Sequence, residues 1–487
     1  MSTSFEKCQH YPNPKAFVDF CRDVCYNTEL VIIMKTDLTA GSIAKTLLSF
    51  AVPMIAGNIL QQAYNIADTL IVGRCLGEDA LAAVGSTYTL TTFIYSIIIG
   101  LCMGSGALVS YYCGENAVQK RKNAIVTAFV LIGAVSAAAE TVTLFSVRGI
   151  TGLLKIPSGI TAVTEDYVRI ILSGIVFVFL YNYYAYMLRA FGDSVTPLIF
   201  LGTASVINIV LDIVFVVCMD FGVSGAAYAT LIAQAVSGIG LAAYSLIKEK
   251  NLRIGLSDFK LEKGETAEVF RMSFSASVQQ SVMNFGILMI QGLVNSFGTT
   301  VMAAFTVAVK IDTLAYMPAQ EFGNAFSLFV SRNYGAGEYG RIRECVRKSF
   351  LISAVFCAAV SAAVVIFPEE LMMIFVKAGE TDIIRTGAQY LVTEGSFYIG
   401  IGILFLLYGY YRGINKPEMS LILTVVSLGT RVALAYFLSR FETVGVYGIW
   451  ISIPVGWFLA DAAGIIYMKA FSGLIHDGPV KTRKNRI

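Results

Sequence analysis

The chain has 487 residues, 56% of them hydrophobic and 14% charged, with a net charge of +3. A soluble domain carries roughly a quarter charged residues, so this composition excludes a water-soluble globule, and so small a net charge is no argument for nucleic-acid binding. Two histidines, His10 and His476, lie in the polar ends, and nine cysteines stand singly with no C-x-x-C pair. Zinc-hydrolase motifs and His-based triads are therefore out of reach, and no enzyme is expected.

Residues 1–33 contain neither the apolar core of a secretory signal nor a span, and read as a disordered tail or as upstream sequence before Met34. Long apolar stretches follow, separated by short charged runs, and a helical span takes about 20 such residues. Spans are predicted at roughly 46–73, 84–112, 123–147, 164–190, 196–219, 224–248, 267–296, 303–334, 345–368, 388–413, 418–439 and 445–470. The expected fold is an all-α polytopic membrane protein of about twelve transmembrane helices in two six-helix lobes. The N-terminal lobe takes 34–248, a charged, turn-rich linker 249–266, the C-terminal lobe 267–470 and a basic tail 471–487.

Basic residues set the orientation, since Lys and Arg concentrate in cytoplasmic loops. Lys120, Arg121 and Lys122 follow the second span, Lys248 to Arg271 the sixth, Arg341 to Lys348 the eighth, and Lys481 to Arg486 end the chain. The opposite loops carry few, chiefly Arg74, Arg148, Lys155, Lys377, Arg385 and Arg440. Both termini, the linker and the tail are therefore expected in the cytoplasm of a prokaryotic cell, with the chain multi-pass in its plasma membrane.

The halves repeat. A shift of 221 residues aligns Gly77 with Gly298, Ser110 with Ser331, Gly114 with Gly335, and Lys120 with Arg341; a shift of 223 aligns Gly222-Val223 with Gly445-Val446. Six spans per unit is an even number, so both units enter the membrane in the same sense, as parallel repeats about an axis along the membrane normal.

Ionisable groups inside spans carry the functional signal, because each costs about 2.5 kcal/mol or more at a helix centre. Asp68, Glu140, Asp212, Glu321, Glu394 and Asp461 stand out. Asp68 ends a polar stripe, Asn58, Gln61, Asn65 and Asp68, on one helix face with Tyr64 beside it; Asn208 and Asp212 share a face of the fifth span. The first and fifth spans run in the same direction, which puts both carboxylates in the outer half of the membrane at depths where they can meet. Two acids with amide oxygens between them suit a proton or an oxygen-coordinated cation; a structural hydrogen-bonded pair is the alternative. The C-terminal lobe has no such pair, since Met289 and Ala435 stand at the matching positions. Its stripe is uncharged, with Gln280, Asn284, Gln291 and Asn295, and Glu321 is its mid-membrane acid, eleven residues after Lys310 and just past Pro318. Glu321 is either a second coupling or substrate site or half of a structural ion pair with Lys310. Glu140, Glu394 and Asp461 have no evident partners. The aromatic run Tyr181 to Phe191 suits either packing or a cavity for flat cations.

The stretches MKTDLTAGSIAKTLLSFAVPMIAGNILQQAYNIADTLIVGRCLGEDALAAVG, LRAFGDSVTPL, NIVLDIVFV and MPAQEFGNAFSLFVSRNYGAG resemble the multidrug and toxic compound extrusion (MATE) family, in particular its prokaryotic DinF-like branch. The resemblance runs from Met34 to about residue 470. It implies two six-helix lobes around a central cleft and an antiporter exporting organic cations or other amphiphiles in exchange for Na+ or H+. The family's first-span acid falls on Asp68, and its fifth-span Asn and Asp on Asn208 and Asp212, so any Na+ is expected there. Gln61, Tyr64, Asn65, Gln280, Asn284, Glu321 and Lys310 are the candidates for the substrate cleft or a second coupling site. The NorM-type branch has a glutamate in span seven, where this chain has only Gln and Asn. The expected partners are small organic cations or amphiphiles and the bilayer, with no nucleic acid, a monomeric chain, and no cofactor beyond the coupling ion. A lipid-linked precursor flippase of the same superfamily is the alternative.

Overall fold

The computed structural model describes residues 35–153, 159–253, 263–377, 379–441 and 443–470. The expectations for 1–33 and for the tail 471–487, and the middle of the linker 249–266, lie outside the described residues. Every predicted span is a helix or a helix pair. The first half runs α1 (Ile43–Leu76), α2 (Glu78–Gly114), α3 (Val118–Phe145), short α4 (Val147–Leu153), α5 (Thr161–Leu172), α6 (Ile175–Ala190), α7 (Val195–Asp212) and α8 (Gly222–Lys248). The second half runs α9 (Lys263–Asn295), α10 (Thr299–Gly335), α11 (Tyr339–Ile366), short α12 (Pro368–Met373), α13 (Thr381–Gly395), α14 (Tyr398–Gly413), α15 (Pro417–Leu438) and α16 (Tyr447–Ala470).

Among the described residues ten helices are long and apolar enough to cross a membrane, and α13 with α14 passes as an eleventh span bent by 53°. The twelfth, α9, is long at 33 residues but polar, with Arg271, Gln279, Gln280, Asn284 and five serines or threonines before Asn284. Large apolar side chains such as Phe145 (89% exposed) and Ile466 (67%) face outward, as they do where the surrounding solvent is lipid.

The turns repeat with the spans. Left-handed backbone, which non-glycine residues adopt at a cost, occurs at Gly77 and Gly298, Asn116 and Gly337, Gly192 and Asn415, and Gly222 and Gly445. The first two pairs are separated by 221 residues and the last two by 223, so a turn keeps its shape even where Asn stands for Gly. The fifth span departs from a plain α-helix: α7 ends at Asp212 and continues as a π-helical turn, Ile213–Cys218.

By packing, the chain forms two compact units. One takes the described residues up to Thr36, of Ala56–Cys102 and of Ile125–Lys260; the other takes those of Asp37–Ile55, Met103–Ala124 and from Leu261 onward. Each of α1, α2 and α3 thus contributes to both units. The core of the second unit stacks Phe305 on Trp450 at 5.4 Å with Tyr390 edge-on to both. The first unit packs Phe129, Phe179, Tyr183 and Tyr184 into one aromatic cluster.

Candidate functional site

In the first unit, Asp212 is fully buried at the end of α7, and neither of its carboxylate oxygens has a hydrogen-bond partner. Asp68 on α1 lies within Coulombic range of it, with one oxygen buried and unpartnered, and Tyr167 on α5 lies within range of both acids. One turn before Asp212, buried Asn208 donates its amide to the Thr230 hydroxyl at 3.3 Å and leaves its own oxygen unpartnered. Three side chains from α1 and α7 therefore hold unsatisfied oxygens in one buried region, where an unpaired polar group is costly. The π-helical turn begins directly after Asp212. Its widened backbone shows in the bonds from Met219 to Val214 and from Phe221 to Phe215, at 2.9 Å each, a distortion that frequently marks functional positions.

Asn208 also lines a cavity of about 110 Å3, shared with Gln61, Tyr64, Tyr95, Tyr181, Asn182, Thr230 and Gln234. Its lining is neutral and amphipathic. Gln234 donates to the Tyr95 hydroxyl at 3.4 Å and leaves its oxygen unpartnered. Water takes roughly 30 Å3 per molecule and drug sites run to about 300–1,000 Å3, so the cavity in this conformation accommodates a few waters rather than a drug. Of the predicted stripe, Gln61 and Tyr64 face this cavity, and Asn65 donates to Gln62 at 3.2 Å. The aromatic run divides: Tyr181 and Asn182 line the cavity, whereas Tyr183, Tyr184 and Tyr186 are buried in packing, with Tyr183 donating to the Ile125 carbonyl at 2.8 Å.

The second unit differs from the expectation. Glu321 does not pair with Lys310, which is exposed; it accepts from the Asn324 amide at 3.2 Å, and Asn324 in turn accepts from buried Arg412 at 3.0 Å. Gln280 and Asn284 are half-buried on α9, and Gln291 donates to Asn295 at 2.9 Å. The acids deepest in this unit are Asp312 on α10 and Glu394 on α13, at 4% and 2% exposure, within Coulombic range of each other and of Arg431 on α15. Tyr398 and Tyr390 turn their hydroxyls toward them. Asp312 escaped the sequence reading although the signal was there, an acid inside the eighth span two residues after Lys310. Glu394 is thereby no longer without neighbours. Arg431 stands 223 residues after Asn208, so where the first half has an amide oxygen free for a cation, the second half carries a built-in cation of its own. Glu140 is structural: one oxygen accepts from the Val176 backbone N–H at 3.0 Å, at the break between α5 and α6. Asp461 is buried with both oxygens unpartnered. No group of three or more His, Cys, Asp or Glu placed to bind a metal occurs among the described residues.

Long apolar helices around buried, unpartnered carboxylates define a multi-pass membrane transporter. The MatE family model matches the chain twice, over residues 53–214 and 275–437, one match in each half. The chain belongs to this family, whose members are transporters and not enzymes. It is 29% identical to the probable multidrug resistance protein YpnP of Bacillus subtilis, over 89% of this chain and 96% of that one. It is 26% identical to the probable multidrug resistance protein NorM of Thermotoga maritima, over 84% and 89%. Among solved structures it resembles the outward-facing conformation of a multidrug resistance MATE family transporter, with TM-score 0.86 at 24% identity, covering 91% of this chain and 98% of the other. Such structures have twelve helices in two lobes.

Proposed function

We propose that the chain is a secondary active exporter of organic cations or amphiphilic drugs, driven by inward movement of Na+ or H+. The observation that carries this reading is the meeting of Asp68 and Asp212 beside Asn208, with four oxygens buried and unpartnered. Two carboxylates at that depth need a proton or a cation to offset their charge, since an isolated buried ion is too costly to persist. Carboxylate and amide oxygens are the ligand set for hard cations. Antiport requires the site to admit the coupling ion or the substrate in turn, and each ligand must weaken the other by the same factor. The relatives named above speak for drugs over lipid-linked precursors as the cargo. The run of basic residues at one set of loops supports cytoplasmic termini and a prokaryotic plasma membrane.

The test is export of ethidium from proteoliposomes under separate Na+ and pH gradients. Asp68→Asn retains the side chain's shape and removes its charge, so the protein should stay folded while gradient-driven export falls at least about tenfold, a coupling change of about 1.4 kcal/mol or more. Asp212→Asn should follow. Wild-type export by Asp68→Asn under the same gradient contradicts the assignment.

A further inference from the structure

Within the second unit, α2 and α10 meet in a reciprocal contact. Ser110 on α2 donates its hydroxyl to the Leu328 carbonyl at 3.0 Å, and Ser331 on α10 donates to the Ala107 carbonyl at 2.5 Å. Ser110 and Ser331 are 221 residues apart, as are Ala107 and Leu328, so each bond is the repeat image of the other. One turn further on, a Cβ at Gly114 would overlap the Arg332 carbonyl oxygen, and a Cβ at Gly335 would overlap that of Tyr111. Those four residues obey the same shift of 221. The contact is thus isologous about a local two-fold axis, and bare glycines bring backbone onto backbone, as in close membrane-helix crossings.

Three observations set this crossing apart from ordinary packing. Its groups are hydroxyls, carbonyls and glycines, and its periphery is polar: Tyr112 donates to Glu268 and Asn123 to Glu265, each at 2.6 Å. Parting such a contact exposes groups that water can satisfy, whereas parting the Phe305–Trp450 stack would not. Secondly, α2 passes from one packing unit to the other at Cys102/Met103, just before the crossing, and α1 and α3 pass over at Ile55/Ala56 and Ala124/Ile125. Thirdly, the crossing lies at the helix ends that lead into Lys120–Lys122 and Arg341–Arg343, the cytoplasmic side in the orientation proposed above.

We propose that the α2–α10 crossing is the cytoplasmic gate of the transport path, closed in this structure, with Gly114 and Gly335 as its contact points. The proposal rests on the exporter reading, because only an alternating path needs a gate. Opening separates Ser110 from Leu328 and Ser331 from Ala107 together, since the two-fold couples them.

Two measurements on the full chain, with its native cysteines replaced, test it. Ser331→Cys in native membranes should react with an impermeant maleimide from the cytoplasmic side about tenfold faster than Ser420→Cys, because only the former is uncovered by local opening. Ser420 is an apt control: it is equally buried, three residues inside the end of α15, and it donates to the Tyr408 carbonyl at 2.9 Å within the second repeat. Equal rates overturn the gate whatever the protein transports. In the second measurement Tyr111→Cys and Tyr334→Cys, whose parent rings lie 5.9 Å apart, are joined by a short reducible bis-methanethiosulfonate. Ethidium export should stop and return on reduction; export through the cross-linked protein overturns the gate. If the uncross-linked pair and the wild type both fail to export ethidium, the drug-export reading suffers, while the labelling rates still decide the gate.

Discussion

Glu140 and Arg431 show how differently two buried charged groups in one membrane protein are held. The Glu140 carboxylate accepts from a backbone N–H that the break before α6 leaves without an intrahelical partner. Glu140→Gln keeps an acceptor there and should be tolerated. Glu140→Ala leaves the N–H unsatisfied and should cost about 1–3 kcal/mol, read as a lower midpoint of thermal unfolding in detergent. Arg431 is the positive charge nearest Asp312 and Glu394, and removing one partner from a buried set of charges typically costs about 3–5 kcal/mol. Arg431→Met should therefore lower expression and thermal stability sharply, and adding Asp312→Asn should recover most of the loss. Failure of that second substitution to rescue would show that Arg431 acts through packing alone.

At the scale of the element, the fifth span carries the site because its helix changes type there. The π-helical turn takes an extra residue per turn and leaves the backbone after Asp212 loosely bonded, with Asp220 and Gly222 in left-handed conformation closing the segment. Deleting Val217 should restore α-helical register between Asp212 and α8, keep the chain folded, and uncouple ethidium export from the ion gradient. Coupled export by the deletion variant would show that the turn has no part in the cycle. Elsewhere helices meet on bare backbone. A Cβ at Gly238 on α8 would lie 2.5 Å from the Phe177 carbonyl oxygen, so Gly238→Val should destabilise the protein by about 1–3 kcal/mol through overpacking, measured by thermal unfolding.

For the molecule as a whole, the start of the described chain is tied down outside the membrane. Lys35 donates to Glu249, which also accepts from the Asn251 side chain at 2.7 Å, and Thr36 N–H bonds the Gly192 carbonyl at 3.0 Å. Burial alone would push the Glu249 carboxyl up, but the bonds from Lys35 and Asn251 outweigh it and hold it below its usual 4.5. A group with a depressed folded value stabilises above its unfolded value and loses that contribution as pH falls through the folded one. Stability at neutral pH should therefore decline on acidification below about 4.5, and Glu249→Gln should flatten that part of the profile of unfolding midpoint against pH. The orientation is checked by thiol labelling of single cysteines: positions 148 and 377 should label from outside the cell, and position 121 from inside.

Composition and periodicity by themselves determined the membrane class, the twelve helical stretches and the two-fold repeat, since burial in lipid writes itself into every span separately. The repeat extended to turn shape, because Gly and Asn punctuate both halves at one spacing. They also pointed to Asp68, Asn208 and Asp212, acids and an amide too costly in a span to lack a reason. What remained for the tertiary structure was which groups meet. Whether Glu321 pairs with Lys310 or with Asn324, whether Glu140 caps a helix, and whether Asp312 and Glu394 share Arg431 depend on helices far apart in sequence and on their rotation about their own axes, which periodicity leaves open in helices apolar nearly all round. The π-helical turn is decided the same way, since its sequence, IVFVVC, is as apolar as any α-helical stretch beside it. The reciprocal crossing of α2 and α10 joins the two levels: the repeat supplies matching serines and glycines, and only packing brings each against its image.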